Sequence, residues 1–291
     1  KQEKETFYYM QRYLVGVEWM LSMIMPAFSQ DLRTPLRKQS YDYFYTNQLD
    51  SAEMTFQQSL ESQDWNPELK MVHQFEILIM QSLAASNTLQ IQDAFSKINT
   101  AFAKLDSISF NVDTLAQKAW LAKGIIEFKG QQFPQSLQSW ETSGSYLKSY
   151  PASMDTTDAY INIQNLKAGA FFRLGRIEEA KAAYEIVYDF YLENGSQLQL
   201  CNTLSNMGNI SFATEDYSGA AKAYTQAIEM AESNDPVLWP AIASSSMNLS
   251  FVLRGFGDYE RALQYAQKTQ KAYQILQNPA GEDKVKMLTA L

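Results

Sequence analysis

The feature that most constrains this chain is a small residue that returns in phase. Ala180, Ala220 and Ala262 stand 40 and 42 residues apart, and stepping back from Ala180 finds Ser136 at 44, Ala94 at a further 42 and Ala52 at 42 again. Three residues before each anchor stand Leu49, Ile91, Phe133, Ile177, Tyr217 and Tyr259. Four residues after it stand Phe56, Ile98, Trp140, Tyr184, Tyr224 and Ala266. Positions i, i+3 and i+7 share one face of a helix. A small residue between bulky ones lets a partner helix approach closely while the large groups fill the flanking grooves. Twelve residues before each anchor a second small residue recurs: Ser40, Ser82, Gly124, Ala168, Gly208 and Ser250. Such a register predicts six helix pairs, each closed through its small residues.

Composition supports helices. Hydrophobic residues make up 46% of the 291 and charged residues 19%, enough apolar surface for a buried core. Long blocks of Ala, Leu, Gln, Glu, Lys and Met run without the Val, Ile and Thr that strands favour. Thr34-Pro35, Asn66-Pro67 and Asp235-Pro236 each suggest a capping residue followed by proline at the first helical position. Ser196-Gln197-Leu198-Gln199 reads as a capping box, and Gly175, Gly195 and Gly257 suit helix C-termini. No low-complexity linker interrupts the repeats, so one continuous superhelix is expected.

Trp120 followed by Gly124, and Gly208 followed by Tyr217, Ala220 and Tyr224, resemble the tetratricopeptide repeat. The resemblance covers about residues 32 to 278, with a period longer than the 34 residues usual for that family. That longer period is similar to the repeats of kinesin light chains and of bacterial peptide-sensing and signalling regulators. The expected fold is therefore all-α: a right-handed α-solenoid of about six helix pairs over residues 31–281. An N-terminal helix within residues 1–30 precedes it, as a cap or an oligomer contact, and residues 282–291 begin a further helix. The resemblance implies that the first helix of each pair lines a concave face where an extended segment of a partner lies.

On those first helices asparagines recur: Asn162 and Asn202 at one register position, Asn206 and Asn248 four residues later, Asn209 three after that, with Asn165 nearby. Asparagine is a poor helix former, so a row of them on one face calls for a reason. A side-chain amide both donates and accepts, and can clamp a peptide backbone whatever the peptide's side chains. Leu204-Ser205-Asn206-Met207-Gly208 resembles the motif with which the long-helix relatives hold peptides. Phe172, Phe212 and Phe251 would supply apolar pockets, and Arg173 and Arg254 would take a carboxylate. The competing reading is that the asparagines bond neighbouring helices to one another.

Chemistry of other kinds finds little support. A net charge of -8 repels phosphate backbones, which argues against nucleic-acid binding. His73 is the only histidine and Cys201 the only cysteine, both read as packing residues, so neither a metal site nor a disulfide framework is expected. No phosphate loop or dinucleotide fingerprint occurs, and neither an enzymatic role nor a cofactor is expected. The apolar run over residues 13–28 is too short for a membrane span and contains Glu18. A cytoplasmic location is expected, or an exported one should residues 13–29 act as a signal sequence. Asn209-Ile210-Ser211 and Asn248-Leu249-Ser250 are formal glycosylation sequons inside predicted helices. The sequence thus points to a protein- or peptide-binding scaffold within a larger regulatory or assembly protein. The alternative is a self-associating spacer whose N-terminal helix makes a homo-oligomer contact.

Overall fold

The structure is a computed structural model describing residues 54, 55, 58, 67–108, 112–150, 155–194, 197–278, 281–283 and 285. The expected N-terminal helix, the oligomer contact assigned to it, the first repeat with Ser40 and Ala52, and Gly195-Ser196 lie outside the described residues.

The chain divides between Leu174 and Gly175 into two compact units. In the first, α1 (Pro67–Asn87), α2 (Ile91–Leu105), α3 (Val112–Lys129), α4 (Phe133–Tyr146) and α5 (Thr157–Arg173) follow in order, with a short 3-10 turn at Leu147–Ser149. The second holds α6 (Ile177–Asn194), α7 (Gln197–Ala213), α8 (Tyr217–Ser233), α9 (Trp239–Gly255) and α10 (Tyr259–Ile275). Within each unit successive helices pack on one another, and first helices meet across repeats, α1 on α3 and α7 on α9. All regular secondary structure among the described residues is helical. The fold is the expected all-α arrangement of antiparallel helix pairs.

The repeating small residues occupy the places their spacing demands. Ala94, Ser136, Ala180 and Ala220 have no exposed surface, and Ala262 is buried. Glycine at the earlier position is a seat for the aromatic four residues after the anchor. In the first unit, a Cβ on Gly124 would fall 2.3 Å from Trp140 Nε1, which donates to the Leu121 carbonyl at 3.2 Å. In the second, a Cβ on Gly208 would fall 2.7 Å from Tyr224 Cε1. Burying such rings fully is worth about 2–3 kcal/mol each by area, and the glycine makes room for it.

The turns inside the pairs share one geometry. Five residues before each anchor the backbone is left-handed, at Leu89 (φ 60°), Gln131 (62°), Gly175 (74°), Glu215 (67°) and Gly257 (78°). Gln90 N–H donates to Ala85 O at 2.9 Å and Leu89 N–H to Ser86 O at 3.2 Å, the paired bonds of a Schellman cap. Gln132 to Glu127, Asp216 to Ser211 and Asp258 to Leu253 repeat the longer bond at 2.8, 2.9 and 3.0 Å. Asp216 and Asp258 then start the second helices, their carboxylates accepting from Gly219 N–H at 2.9 Å and Arg261 N–H at 3.2 Å.

One capping expectation is corrected. Asp235-Pro236 is a cis peptide in the loop before α9, which begins only at Trp239, with Pro240 in its first turn. Asn234 Nδ2 donates to the Pro236 carbonyl at 2.7 Å, so the segment is held as a turn. Thr34-Pro35 and Asn66, the other expected caps, lie outside the described residues.

Candidate functional site

The second unit brings the asparagine row together. Asn202, Asn206 and Asn209 lie half-buried along one face of α7. Asn209 Oδ1 accepts from Tyr224 Oη at 2.7 Å and from Asn248 Nδ2 at 3.0 Å. Below it, Ser245 Oγ donates to Ser205 Oγ at 3.1 Å. These bonds tie α7 to α8 and to α9. Asn248 is buried, only 5% exposed, and its amide is spent on Asn209. The inter-helix reading therefore describes Asn248 and the oxygen of Asn209. Asn202 and Asn206 differ: both are half-buried and neither side chain is bonded to another described residue.

Phe212 meets Tyr217 edge to face at 5.3 Å and packs against the core between α8 and α9. Phe251, half-buried, follows Asn248 by three residues on α9 and carries the Arg254 guanidinium 5.3 Å above its ring centre. No described carboxylate pairs with Arg254. The other residues named from the sequence belong to the first unit. Asn165 is buried within α5, Asn162 and Phe172 are half-buried, and the Arg173 guanidinium stacks 5.3 Å from the Phe133 ring.

Cys201 is fully buried in α7, and burial pushes its thiol up to about 11, as suits a packing residue. The side chain of His73 lies outside the described residues. Burial keeps Asn248 from serving as a glycosylation acceptor in the folded chain. Among the described residues no group of three or more His, Cys, Asp or Glu could hold a metal, and no helix is long and apolar enough to cross a membrane.

Sequence reasoning missed a polar seam in the first unit. Ser139 Oγ donates to Glu127 Oε2 at 2.6 Å, and Lys123 Nζ lies 3.8 Å from Glu127 Oε1. Burial raises the Glu127 carboxyl above its usual range, while Ser139 and Lys123 pull it back. Gln117 Nε2 donates to Ser143 Oγ at 3.1 Å, and Ser143 Oγ to the Gln117 carbonyl at 2.9 Å. Lys129 Nζ donates to Asn87 Oδ1, joining α3 to α1. A signal existed: Glu127 stands nine before its anchor, where other repeats place Ala85, Ser211 and Leu253.

The family model for the tetratricopeptide repeat matches residues 160–233, from α5 to the end of α8. No curated protein matches the chain by sequence. Among solved structures, aspartyl phosphate phosphatase F from Bacillus subtilis superposes with a TM-score of 0.68 at 13% identity, over 94% of this chain and 78% of that one. NprR in complex with its cognate peptide NprX gives 0.62 at 15% identity, covering 86% and 69%. The Rap conjugation gene regulator of plasmid pLS20, in complex with the Phr* peptide, gives 0.61 at 16% identity, covering 87% and 78%. At such identities the likeness is one of fold.

Proposed function

We propose that the chain is a binding scaffold that holds an extended peptide or protein segment against the first-helix face of its second unit. The observation that carries this reading is the pair Asn202 and Asn206, one helical turn apart, half-buried and bonded to no other described side chain. Asn209, whose oxygen accepts from both Asn248 and Tyr224, forms with Asn248 a fixed floor beside them. A fixed floor holds the neighbouring amides in place, which lowers the ordering cost of binding. Two repeat proteins with the same fold, NprR and the pLS20 Rap regulator, have been captured with peptides, which supports the same use here. The finer role is that of the sensor or adaptor part of a regulatory or assembly protein.

Selection from a phage-displayed random peptide library on the immobilised protein tests the reading. A selected peptide should lose about tenfold or more in affinity on Asn202→Ala/Asn206→Ala, since each amide contributes about 1 kcal/mol. The double variant should melt within a degree or two of wild type, because neither amide bonds within the fold. Equal affinity for variant and wild type would sink the proposal, as would a library yielding no binder.

A further inference from the structure

Charge is distributed unequally over the second unit. Helices α7 and α9, 17 residues each, contain no aspartate or glutamate, and their one charged residue is Arg254. The chain has 32 acidic residues, and in this unit they stand on the other helices and in the turns, Glu185 on α6, Glu229 on α8, Asp258 before α10 and Glu260 on α10 among them. The helices that hold the asparagine row therefore carry no negative charge on an otherwise acidic protein.

Arg254 is unlike the other arginines of this unit. Arg176 pairs with Glu179 and Arg261 with Asp258, each within its own helix start. Arg254 has no described carboxylate partner; Phe251 instead holds its guanidinium against the ring. A guanidinium parked on an aromatic face is ordered before a ligand arrives, and its planar fork matches a carboxylate with two parallel hydrogen bonds. Phe251 occupies the register position that Asn209 holds on α7, eleven before the anchor, so Arg254 continues the row begun by Asn202 and Asn206.

Resting on the peptide-holding role above, we propose that this face selects an extended, otherwise uncharged segment bearing one aspartate or glutamate side chain, which pairs with Arg254. The same guanidinium repels a lysine or arginine at that position. The acidic residues on the surrounding helices disfavour a segment with many carboxylates.

The test uses a synthetic library of N-acetylated, C-amidated octapeptides of Ala, Ser, Val, Leu and Gln, with Asp, Glu, Asn or Lys placed at each position in turn. Blocked ends leave side chains as the only carboxylates. Affinities are read by fluorescence anisotropy on wild type, Asn206→Ala, Arg254→Lys, Arg254→Gln and Arg254→Glu, each first checked for an unchanged melting curve. The expected best binder contains one acid. Replacing that acid by asparagine, or Arg254 by glutamine, should each weaken binding about tenfold. Arg254→Lys should lose less, and Arg254→Glu should turn the preference at that position to lysine. Equal binding of the acidic and asparagine peptides, both weakened by Asn206→Ala, overturns the carboxylate pairing while leaving the scaffold role standing. A matched set with free C-termini is measured alongside, and binding confined to that set overturns it in favour of terminal capture. If no peptide of either set binds, both readings fall.

Discussion

Alanine at Gly124 sets helix propensity against packing. Propensity favours alanine by about 1 kcal/mol. Packing opposes it, because the new Cβ would lie 2.3, 2.5 and 2.8 Å from Nε1, Cδ1 and Cε2 of Trp140, where ordinary contact begins at 3.4 Å. The indole must retreat by roughly an ångström, and overpacking of that size costs about 1–3 kcal/mol. Trp140 has no free space to enter: it is fully buried, lies against Phe128 at 5.9 Å and donates to Leu121 O at 3.2 Å. Losing that bond adds about 1 kcal/mol. The net expectation is a loss of about 1–3 kcal/mol, read as a lower urea midpoint by circular dichroism. Gly208→Ala should lose less, since its Cβ would stand 2.7 Å from the Tyr224 ring. Gly255→Ala meets nothing within 4 Å and should match or exceed wild type. The order of the three variants checks the reasoning: Gly124→Ala as stable as Gly255→Ala would refute it.

Two further outcomes follow from the turns and from a half-buried lysine. Glycine at Leu89, Gln131 or Glu215, all left-handed, should raise stability by a few tenths to about 1 kcal/mol, whereas Gly257→Ala should lower it by about 1 kcal/mol. Thermal melts of the single variants check both signs, and a loss at all three non-glycine sites would contradict the backbone assignment. Burial lowers the Lys129 ammonium to about 8, below the value near 10.4 expected when unfolded. Between those values the unfolded chain binds the proton and the folded chain does not, so this residue's penalty is full below pH 8 and fades as pH rises. Lys129→Met should therefore melt higher than wild type at pH 7, by up to about 2–3 kcal/mol, and the gap should narrow by pH 9.5. A gap unchanged across that range would refute the assignment. The window stops there because Tyr184 and Tyr224, whose hydroxyls burial holds protonated, reverse the slope at higher pH.

The helix pairing was legible because it rests on side-chain size at fixed spacing, and size is what a sequence states directly. Gly124 with Trp140 and Gly208 with Tyr224 could be paired before any coordinates. The turns were only partly legible. Gly175 and Gly257 announce a left-handed residue, but Leu89, Gln131 and Glu215 adopt the same backbone with no sequence mark. There the Schellman bonds and the packing of both flanking helices impose a conformation that the residue itself disfavours. The proline at Pro236 misled for the converse reason: a local signal for a helix start was overridden by a turn closed through Asn234. The asparagine row could be found by register alone. Which members face outward could not, because Asn248 sits at the same register position as Asn206 and differs only in having Asn209 within reach.

The seat and the ring also carry a historical consequence. Within the second unit Gly208 faces the large Tyr224, while the corresponding positions of the next repeat hold Ser250 and the small Ala266. In the first unit Ser82 and Ile98 stand where the next repeat has Gly124 and Trp140. Volume lost at one position is returned at the other, sixteen residues away. Such a pair mutates in two steps through an intermediate that is either overfilled or hollow. Homologous chains should accordingly show the two positions changing together, and recombination within a repeat should be rarer than recombination between repeats. Grafting one whole helix pair in place of another keeps seat and ring in step; a crossover between the two helices separates them.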